Sequence, residues 1–453
     1  MVEAQPQAQP QADGAEAKVV LPPAKSIFEL HEPSQPAGES GDGSRARIGE
    51  LMGLQSPTFV VLTSRCMPLH LRPQALEAQL PGRQLYQIPI GDVILRHDAV
   101  TQCPDASAGC RGFWPHLKPH LTYCSFRNPR QNPSVHGGDS VCSVETSGGR
   151  RKVAPRDLLK TQQVMHMDIV AAPAEEVTMD TSGARRHQRA ISRAGDWLKE
   201  ILEAKAQEPG LDFDWHVLAG IQGGGDVKLR QKACAAAAAM PVAGFWVGGL
   251  GYNESLPSRA KVLETVSAAL PPALPRFLPL NLGTPVEVLQ AVLLGIDVLE
   301  ITFPTHAAAQ GLALLFSSEM PQDAADGEEA AADLAPLLPP AEGVEPPAFS
   351  RVARQMHLRA AECREDFGPI SEDSPVRQYS RAYLYHLLEV RELFGTMLLA
   401  QHNLDAYSRL FVAIRHHIKQ GSIRRFAAWF LRTQTCDAPP VPSPGPTPKR
   451  RKT

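Results

Sequence analysis

The fold is decided between residues 215 and 303, a stretch that opens with WHVLAGIQGGG at 215–225. The apolar run from Trp215 to Ile221 predicts a buried strand, and the glycines that follow it predict a turn. Alternation then continues, with helices predicted at 226–239, 258–270 and 285–294 and strands at 242–247, 276–280 and 297–303. Strands and helices that alternate over short connections predict a parallel sheet with helical crossovers.

The same alternation extends towards the N-terminus as far as residue 153. Helices are predicted at 155–164 and 184–205, the second from its amphipathic pattern, and a short strand at 167–171 separates them. Thr58 to Leu62 begins the folded part, whereas residues 100–150, rich in Gly, Pro, Ser and Cys, predict loops with short strands. A doubly wound sheet and a closed (β/α)8 barrel both fit this order. Glycine and polar residues at the strand ends favour the barrel, because barrel sites form there.

Composition divides the chain into five segments. Residues 1–45, rich in Pro, Gln, Ala and Gly, predict a disordered tail, and residues 46–318 the β/α barrel. Residues 319–349 are acidic and rich in Ala and Pro, which predicts a disordered insertion. Residues 350–435 predict a helical subdomain, and residues 436–453 form a basic, Pro-rich tail. The helices predicted in the subdomain are Tyr379–Gly395, Leu404–Lys419 and Ile423–Thr433.

The bulk composition places few limits on function. The chain has 453 residues, 43% of them hydrophobic, and a net charge of −2, which neither requires nor excludes a nucleic-acid partner. It contains no apolar run of about 18 residues, so we expect no membrane span. Its eight cysteines form no CxxC pair and predict reduced intracellular thiols. We therefore expect a cytoplasmic protein; the basic sequence Lys449-Arg450-Arg451-Lys452 makes a nuclear location the alternative.

Two glycine-rich loops follow predicted strands and are candidate binding elements. Gln222-Gly223-Gly224 and Gly248-Gly249 both stand where a strand ends. Glycine lets backbone approach a flat ligand closely, and the Gln222 amide can hydrogen-bond the edge of a base. A plain strand-to-helix turn explains either loop alone.

Two polar residues interrupt apolar patterns. Glu300 lies in the strand Val298-Leu299-Glu300-Ile301, where an unpartnered carboxylate is costly to bury. It fits a nucleophile, an acid or base, or a member of a structural ion pair. His402 has no cysteine at metal-ligand spacing, so a packed or capping role is its plain interpretation.

Taken in order, several motifs resemble one known family, the tRNA-guanine transglycosylases, over residues 150–435. The motifs are GIQGG at 220–224, GFWVGGL at 244–250, LGTP at 282–285, GIDVLE at 295–300 with Pro304-Thr305, and YSRAYL at 379–384 with QHN at 401–403. The resemblance implies a (β/α)8 barrel that exchanges guanine for queuine at the wobble position of certain tRNAs. It also implies an Asp general base, an Asp nucleophile that forms a covalent intermediate, and a zinc-bearing subdomain.

Departures from that pattern indicate lost catalysis. Glu300 stands at the nucleophile position in place of Asp, and the added methylene displaces the attacking oxygen by an amount that can reduce rates about 10²-fold. Residues 140–144 replace the general-base loop, and the base-contacting Asp falls at Ala174, next to Glu175. These losses resemble the non-catalytic accessory subunit of the heterodimeric queuine enzyme. The resemblance then implies a catalytic subunit and tRNA as partners, and no catalytic residue in this chain.

The zinc ligands of the family are also missing. Its three cysteines fall at Ser371, Asp373 and Val376, and only His402 remains. One imidazole and one carboxylate cannot close a tetrahedral zinc site, so we expect neither zinc nor another cofactor. Helix packing would then hold the subdomain 350–435, which we expect to form the partner interface.

Arg377 and Arg381 are the candidate tRNA contacts, because their charge suits phosphate. An intrahelical ion pair is the plainer interpretation of Arg381.

Two other hypotheses stay open. In the first, the chain is an active transglycosylase in which Glu300 is the nucleophile, Gln222 and Gly248-Gly249 hold the base, and Glu175 contacts it. In the second, it is an unrelated metabolic β/α barrel that binds a small planar ligand.

Overall fold

Eight parallel strands close into a barrel in the computed structural model, which describes residues 21–31, 44–128, 141–179, 183–207, 213–322, 324, 332–340, 349 and 351–437. The first strand is interrupted at Val60: its start, at Thr58, pairs with the last strand at Val298, and its continuation pairs with the second strand. The ring is therefore complete, and the predicted (β/α)8 barrel is confirmed. The barrel strands are Thr58–Phe59 with Val61–Ser64, Leu85–Pro89, Leu121–Ser125, Ile169–Ala171, His216–Ile221, Gly244–Val247, Arg276–Pro279 and Val298–Glu300.

Helices follow the strands and cover the outside of the barrel. Local sequence fixes where two of them begin: the Asp226 carboxylate accepts from the Leu229 amide at 3.1 Å, and Thr284 and Glu287 form a capping box ahead of Pro285. The Asp226 cap holds the turn that contains the first glycine loop, and the Thr284 cap holds the turn after the strand Arg276–Pro279. The helices in this part of the chain are Pro73–Gln79, Pro155–Met165, Ala184–Gln207, Val227–Ala238, Leu256–Ala269, Pro285–Leu293 and Phe303–Ala309.

Residues 100–150 hold more regular structure than the sequence predicted. Leu121–Ser125 is the third barrel strand, fully buried, and Cys142–Thr146 forms an antiparallel hairpin with Gly149–Val153. Helical segments of three to five residues are too short to produce a helical period, which is why the sequence indicated loops. They are His97–Thr101, Ala106–Ala108, Cys110–Phe113 and Pro115–Leu117, and a similar short helix, Ile90–Val93, precedes this region.

The predicted disordered tail is wrong for residues 21–31. Phe28–His31 is a strand that pairs antiparallel with Ile48–Leu51, which in turn pairs with Leu54–Ser56. Ile27 and Phe28 are buried. Proline and glutamine around this short apolar segment masked its signal. Residues 1–20 and 32–43 lie outside the described residues.

The helical subdomain contains three helices, Arg381–Glu389, Leu393–Lys419 and Ile423–Thr433. The predicted helix 379–395 is wrong, because the chain turns at Arg391, which has a φ of 60°. Gly395 instead lies in the first turn of the long helix, which begins at Leu393 and not at Leu404. No Gly or Pro lies at the turn, so it could not be predicted from the residue types there. A pair of short strands, Leu312–Leu314 with Gln355–His357, joins the subdomain to the barrel, and a second pair, Arg351–Ala353 with Thr435–Asp437, joins the two ends of the subdomain.

About half of the predicted acidic insertion lies outside the described residues. The prediction of disorder is wrong for residues 332–340, because Leu334 and Leu337 there are buried. The basic tail from residue 438 onwards also lies outside. No helix of the described chain is long and apolar enough to cross a membrane.

Candidate functional site

Glu300 ends the last barrel strand and lies inside the barrel. Its side chain is only 1% exposed. One carboxylate oxygen accepts a hydrogen bond from the Gln87 amide at 2.6 Å, and the other accepts from the Tyr123 hydroxyl at 2.9 Å. The donors come from the second and third strands. The buried carboxyl group is thus partnered on both oxygens, as its position in an apolar strand requires.

Burial raises the pKa of Glu300 from 4.5 to about 7, although Arg127 and the Tyr123 hydrogen bond act to lower it. A neutral carboxyl group is favoured because the low-dielectric interior penalises charge. Near neutral pH the group is therefore only partly ionised.

Arg127 lies two residues beyond the third strand and carries a buried guanidinium group. That group donates to Glu176 at 3.1 Å, to the Pro279 carbonyl at 3.1 Å and to the Asn281 amide oxygen at 2.7 Å. Its central carbon lies 4.6 Å from the ring centroid of Tyr252. Burial is the largest single effect and acts to lower the pKa of Arg127, but the charges of Glu176, Tyr252, Glu300 and Glu254 together outweigh it and raise the pKa. The guanidinium is therefore held charged, over an aromatic ring and within hydrogen-bond distance of three acceptors.

Glu176 is fixed in turn by the second glycine loop. Its carboxylate accepts from the Gly249 amide at 3.0 Å and from the Tyr252 hydroxyl at 3.2 Å. Gly249 has a φ of 76°, and a Cβ there would lie 2.6 Å from the Val177 carbonyl oxygen. Only glycine allows this close backbone approach.

The first glycine loop lies beside the second. A Cβ on Gly248 would lie 2.1 Å from Gln222 Nε2, so the Gln222 amide packs directly on that glycine. Gln222 is buried, and neither atom of its amide has a hydrogen-bond partner among the described residues. Buried Arg230 joins the two loops by donating to Ile221, Gly224 and Gly248 carbonyls at 2.7, 2.9 and 2.9 Å. The structure thus brings together the residues predicted for the base pocket, Gln222, Gly223, Gly224, Gly248 and Gly249.

Sequence reasoning missed most of the polar groups at this site. Gln87, Tyr123, Arg127 and Glu176 belong to different strands or their loops, so no local motif joins them. Gln87 and Tyr123 lie in the middle of buried strands, and Arg127 and Glu176 lie in the loops that follow buried strands. A polar side chain within or just after a buried barrel strand is the signal that could have found them. Glu175 turns away from the barrel interior: its carboxylate lies 2.5 Å from Arg193 and 3.6 Å from Arg186.

His402 in the subdomain is buried and hydrogen-bonded on both ring nitrogens. Nε2 donates to the Leu314 carbonyl at 2.8 Å, and because a carbonyl only accepts, Nδ1 must accept from Ser374 Oγ at 3.0 Å. Burial lowers the pKa of His402 to about 4, so the ring is neutral. The neighbouring Asn403 bonds Leu314 N–H and Leu312 carbonyl, both at 2.9 Å. Together they attach the long helix to the strand Leu312–Leu314.

The residues near His402 do not fit a zinc ion. Ser374 contacts its ring nitrogen, and Val376, at one cysteine position of the family, is a buried apolar side chain. Across the described ranges, no three His, Cys, Asp or Glu residues come together as a potential metal site. Zinc in proteins takes thiolate, imidazole or carboxylate ligands, usually four of them.

Of the two candidate tRNA contacts, Arg381 is held by hydrogen bonds within the chain, whereas Arg377 is exposed. Arg381 donates to Asp366 at 2.6 Å and to the Ile370 carbonyl at 3.3 Å. Asp366 precedes the helix, so the predicted intrahelical ion pair is wrong, and the pair instead fixes a loop.

The subdomain also exposes a cluster of large apolar side chains, here called the apolar patch. Phe367 is 81% exposed and Leu393 is 60% exposed. Tyr379 joins two other members, since its ring centroid lies 5.6 Å from both Tyr383 and Phe394. Exposed apolar patches of this kind mark interaction surfaces. The patch consists of Phe367, Tyr383, Val390, Leu393 and Phe394.

Comparison with known proteins gives a consistent assignment. Residues 42–435 match the family model described as queuine tRNA-ribosyltransferase. A queuine tRNA-ribosyltransferase accessory subunit 2 from Xenopus tropicalis is 30% identical over 68% of this chain and 76% of its own length. The protein of the same name from Xenopus laevis is 25% identical over 83% of this chain and 92% of its own length. A queuine tRNA-ribosyltransferase from Brucella suis is 30% identical over 62% of this chain and 64% of its own length. The chain belongs to the queuine tRNA-ribosyltransferase family.

Proposed function

We propose that this chain is a non-catalytic accessory subunit of a heterodimeric tRNA-guanine transglycosylase, which exchanges guanine for queuine at the tRNA wobble position. The observation that carries the proposal is the state of Glu300 at the nucleophile position. Relatives named accessory subunit 2 support it, since that name implies a second, catalytic subunit for those proteins.

Glu300 is poorly placed to attack a ribose carbon. Both its oxygens accept hydrogen bonds, and burial raises its pKa to about 7. Attack would require an ionised carboxylate oxygen that is free of those hydrogen bonds. That oxygen would also have to lie where the shorter side chain of an aspartate places it. Displacements of about 1 Å can reduce a rate about 10²-fold. No side chain from residues 140–144 provides the carboxylate of a general base.

The apolar patch is the surface that we assign to the catalytic partner. Each Å² of apolar surface removed from water contributes about 25 cal/mol. Phe367 and Leu393 are more than half exposed, so a partner gains most by covering them. Aromatic side chains such as Phe367, Tyr383 and Phe394 are also the type that dominates interface energies.

The subdomain performs this role without zinc. The hydrogen bonds of His402 and Asn403 to the strand Leu312–Leu314 take the structural place of the metal. Arg377, exposed next to this region, is the remaining subdomain candidate for a tRNA phosphate.

Interface variants test the partner surface. Phe367→Asp and Leu393→Asp should each abolish co-elution with a catalytic transglycosylase subunit and the activity of the mixture. Val412→Asp is the matched control, because Val412 is 57% exposed on the same long helix but is not part of the patch. If Val412→Asp disrupts the complex and the patch variants do not, the assigned surface is wrong.

The competing function is a true transglycosylase that uses Glu300. Its support is the position of that carboxyl group at the C-terminal end of a barrel strand, where barrel active sites form. Purified chain should then exchange labelled guanine into tRNA without a partner, and Glu300→Gln should abolish that exchange. We expect no exchange from either protein.

A further inference from the structure

We propose that Arg127 is an internal ligand: its guanidinium group occupies a site in the barrel mouth that fits a planar, guanidine-bearing molecule. The proposal deepens the proposed function, on which it rests, because it gives a physical reason why this chain would hold no free base.

The contacts around Arg127 are those of a binding site for a flat cation or base. Its guanidinium lies over the Tyr252 ring, 4.6 Å from the centroid, and its N–H groups reach Glu176 and the Asn281 amide oxygen. Stacking on one face combined with acceptors around the edge selects planar groups that carry several N–H donors. Guanine contains the same arrangement, since its ring N–H and exocyclic amino group form part of a guanidine unit.

Glu176 is arranged to receive such donors. It is buried, and the Gly249 amide and the Tyr252 hydroxyl hold its carboxylate towards Arg127. A buried carboxylate without a cation is strongly destabilising, so this position needs an occupant. In this chain Arg127 supplies it.

An unpartnered group beside the site also indicates ligand binding. Gln222 is buried, yet its amide donor and acceptor have no hydrogen-bond partner among the described residues. It lies against Gly248, next to the Gly249 amide that binds Glu176. A purely structural ion pair between Arg127 and Glu176 would leave both the ring stacking and this free amide unexplained.

Removal of the Arg127 side chain should open the site to a ligand added from solution. We expect Arg127→Ala to have a lower Tm than the wild-type chain, and guanidinium ion at low millimolar concentration to raise its Tm. Sodium chloride at equal ionic strength should not raise the Tm of Arg127→Ala. The wild-type Tm should not rise with guanidinium, because its site is filled. In equilibrium dialysis, labelled guanine should bind Arg127→Ala at least about tenfold more tightly than the wild-type chain.

If Arg127→Ala does not fold, Arg127→Lys is compared with the wild-type chain instead. Lysine preserves the charge beside Glu176 but lacks the planar guanidinium group. The proposal would be overturned if the wild-type chain bound guanine as tightly as either variant. It would also be overturned if guanidinium raised the Tm of the wild-type chain as much as that of the variant. Wild-type chain that binds guanine but catalyses no exchange alone overturns only this inference. A chain that binds no guanine and fails to activate a catalytic subunit overturns only the proposed function.

Discussion

Replacing Glu300 by glutamine should change how the stability of the protein depends on pH. Burial raises the pKa of this group from 4.5 to about 7, so the folded state binds the proton more tightly than the unfolded chain does. Its contribution is therefore complete below pH 4.5 and is lost as the pH rises towards 7. One pKa unit corresponds to about 1.4 kcal/mol, so the loss amounts to about 3 kcal/mol.

Glu300→Gln removes this titration and should fit the site. Glutamine keeps an oxygen for the Tyr123 hydroxyl, and its new amino group can face Gln87 Oε1, which has no partner among the described residues. We expect the variant to be more stable than the wild-type chain at pH 8 by up to about 3 kcal/mol, and the difference to shrink towards pH 5. A change of this size shifts Tm by several degrees.

The assay is a set of thermal melts between pH 5 and pH 8. Glu264→Gln is the control, because Glu264 is exposed on an outer helix and its replacement should leave the pH profile unchanged. If Glu300→Gln and the wild-type chain show parallel profiles, the buried carboxyl group does not titrate as argued. If the variant is less stable at pH 8, the ionised carboxylate is a required partner of Arg127.

Three further predictions concern the loops, the subdomain and the tail. Gly249→Ala should lower the free energy of unfolding by at least about 1–2 kcal/mol in denaturant titration, because its positive φ and the nearby Val177 carbonyl leave no space for a methyl group; a neutral result would contradict the loop geometry. His402→Ala should lower the free energy of unfolding by about 1–3 kcal/mol, because it leaves the Ser374 hydroxyl and the Leu314 carbonyl unpaired. Chelators should leave the Tm of the wild-type chain unchanged, and elemental analysis should find no stoichiometric zinc. One bound zinc per chain would refute the second part. We expect a fluorescent fusion that lacks residues 449–452 to distribute between cytoplasm and nucleus as a fusion of the full chain does; nuclear signal lost only on truncation would show that the tail directs import.

Most of the barrel could be predicted from the sequence because apolar strands alternate with amphipathic helices from residue 153 onwards, whereas the strands Leu85–Pro89 and Leu121–Ser125 were not identified. Glu300 was visible for a related reason, since one carboxylate interrupted an apolar strand. The glycine loops at 222–224 and 248–249 were recognisable because close backbone approach permits no other residue.

The rest of the site depended on information that the sequence does not carry. Glu175 and Glu176 are adjacent carboxylates that face different surroundings, and only the backbone decides which one enters the barrel. Arg127 meets its acceptors from loops more than 40 residues away, so no spacing identified it. His402 found its partner at Ser374 rather than at the positions matched by motif.

The most direct test of the central claim is guanine exchange by a heterodimer in which the catalytic subunit lacks its nucleophilic aspartate. Labelled guanine would be offered with a wobble-guanosine tRNA to this chain alone, to the intact heterodimer and to the heterodimer with the inactive partner. We expect exchange only by the intact heterodimer, at a rate above that of the catalytic subunit alone. Exchange by this chain alone, or by the heterodimer with the inactive partner, would show that Glu300 performs catalysis and that this chain is not a non-catalytic subunit.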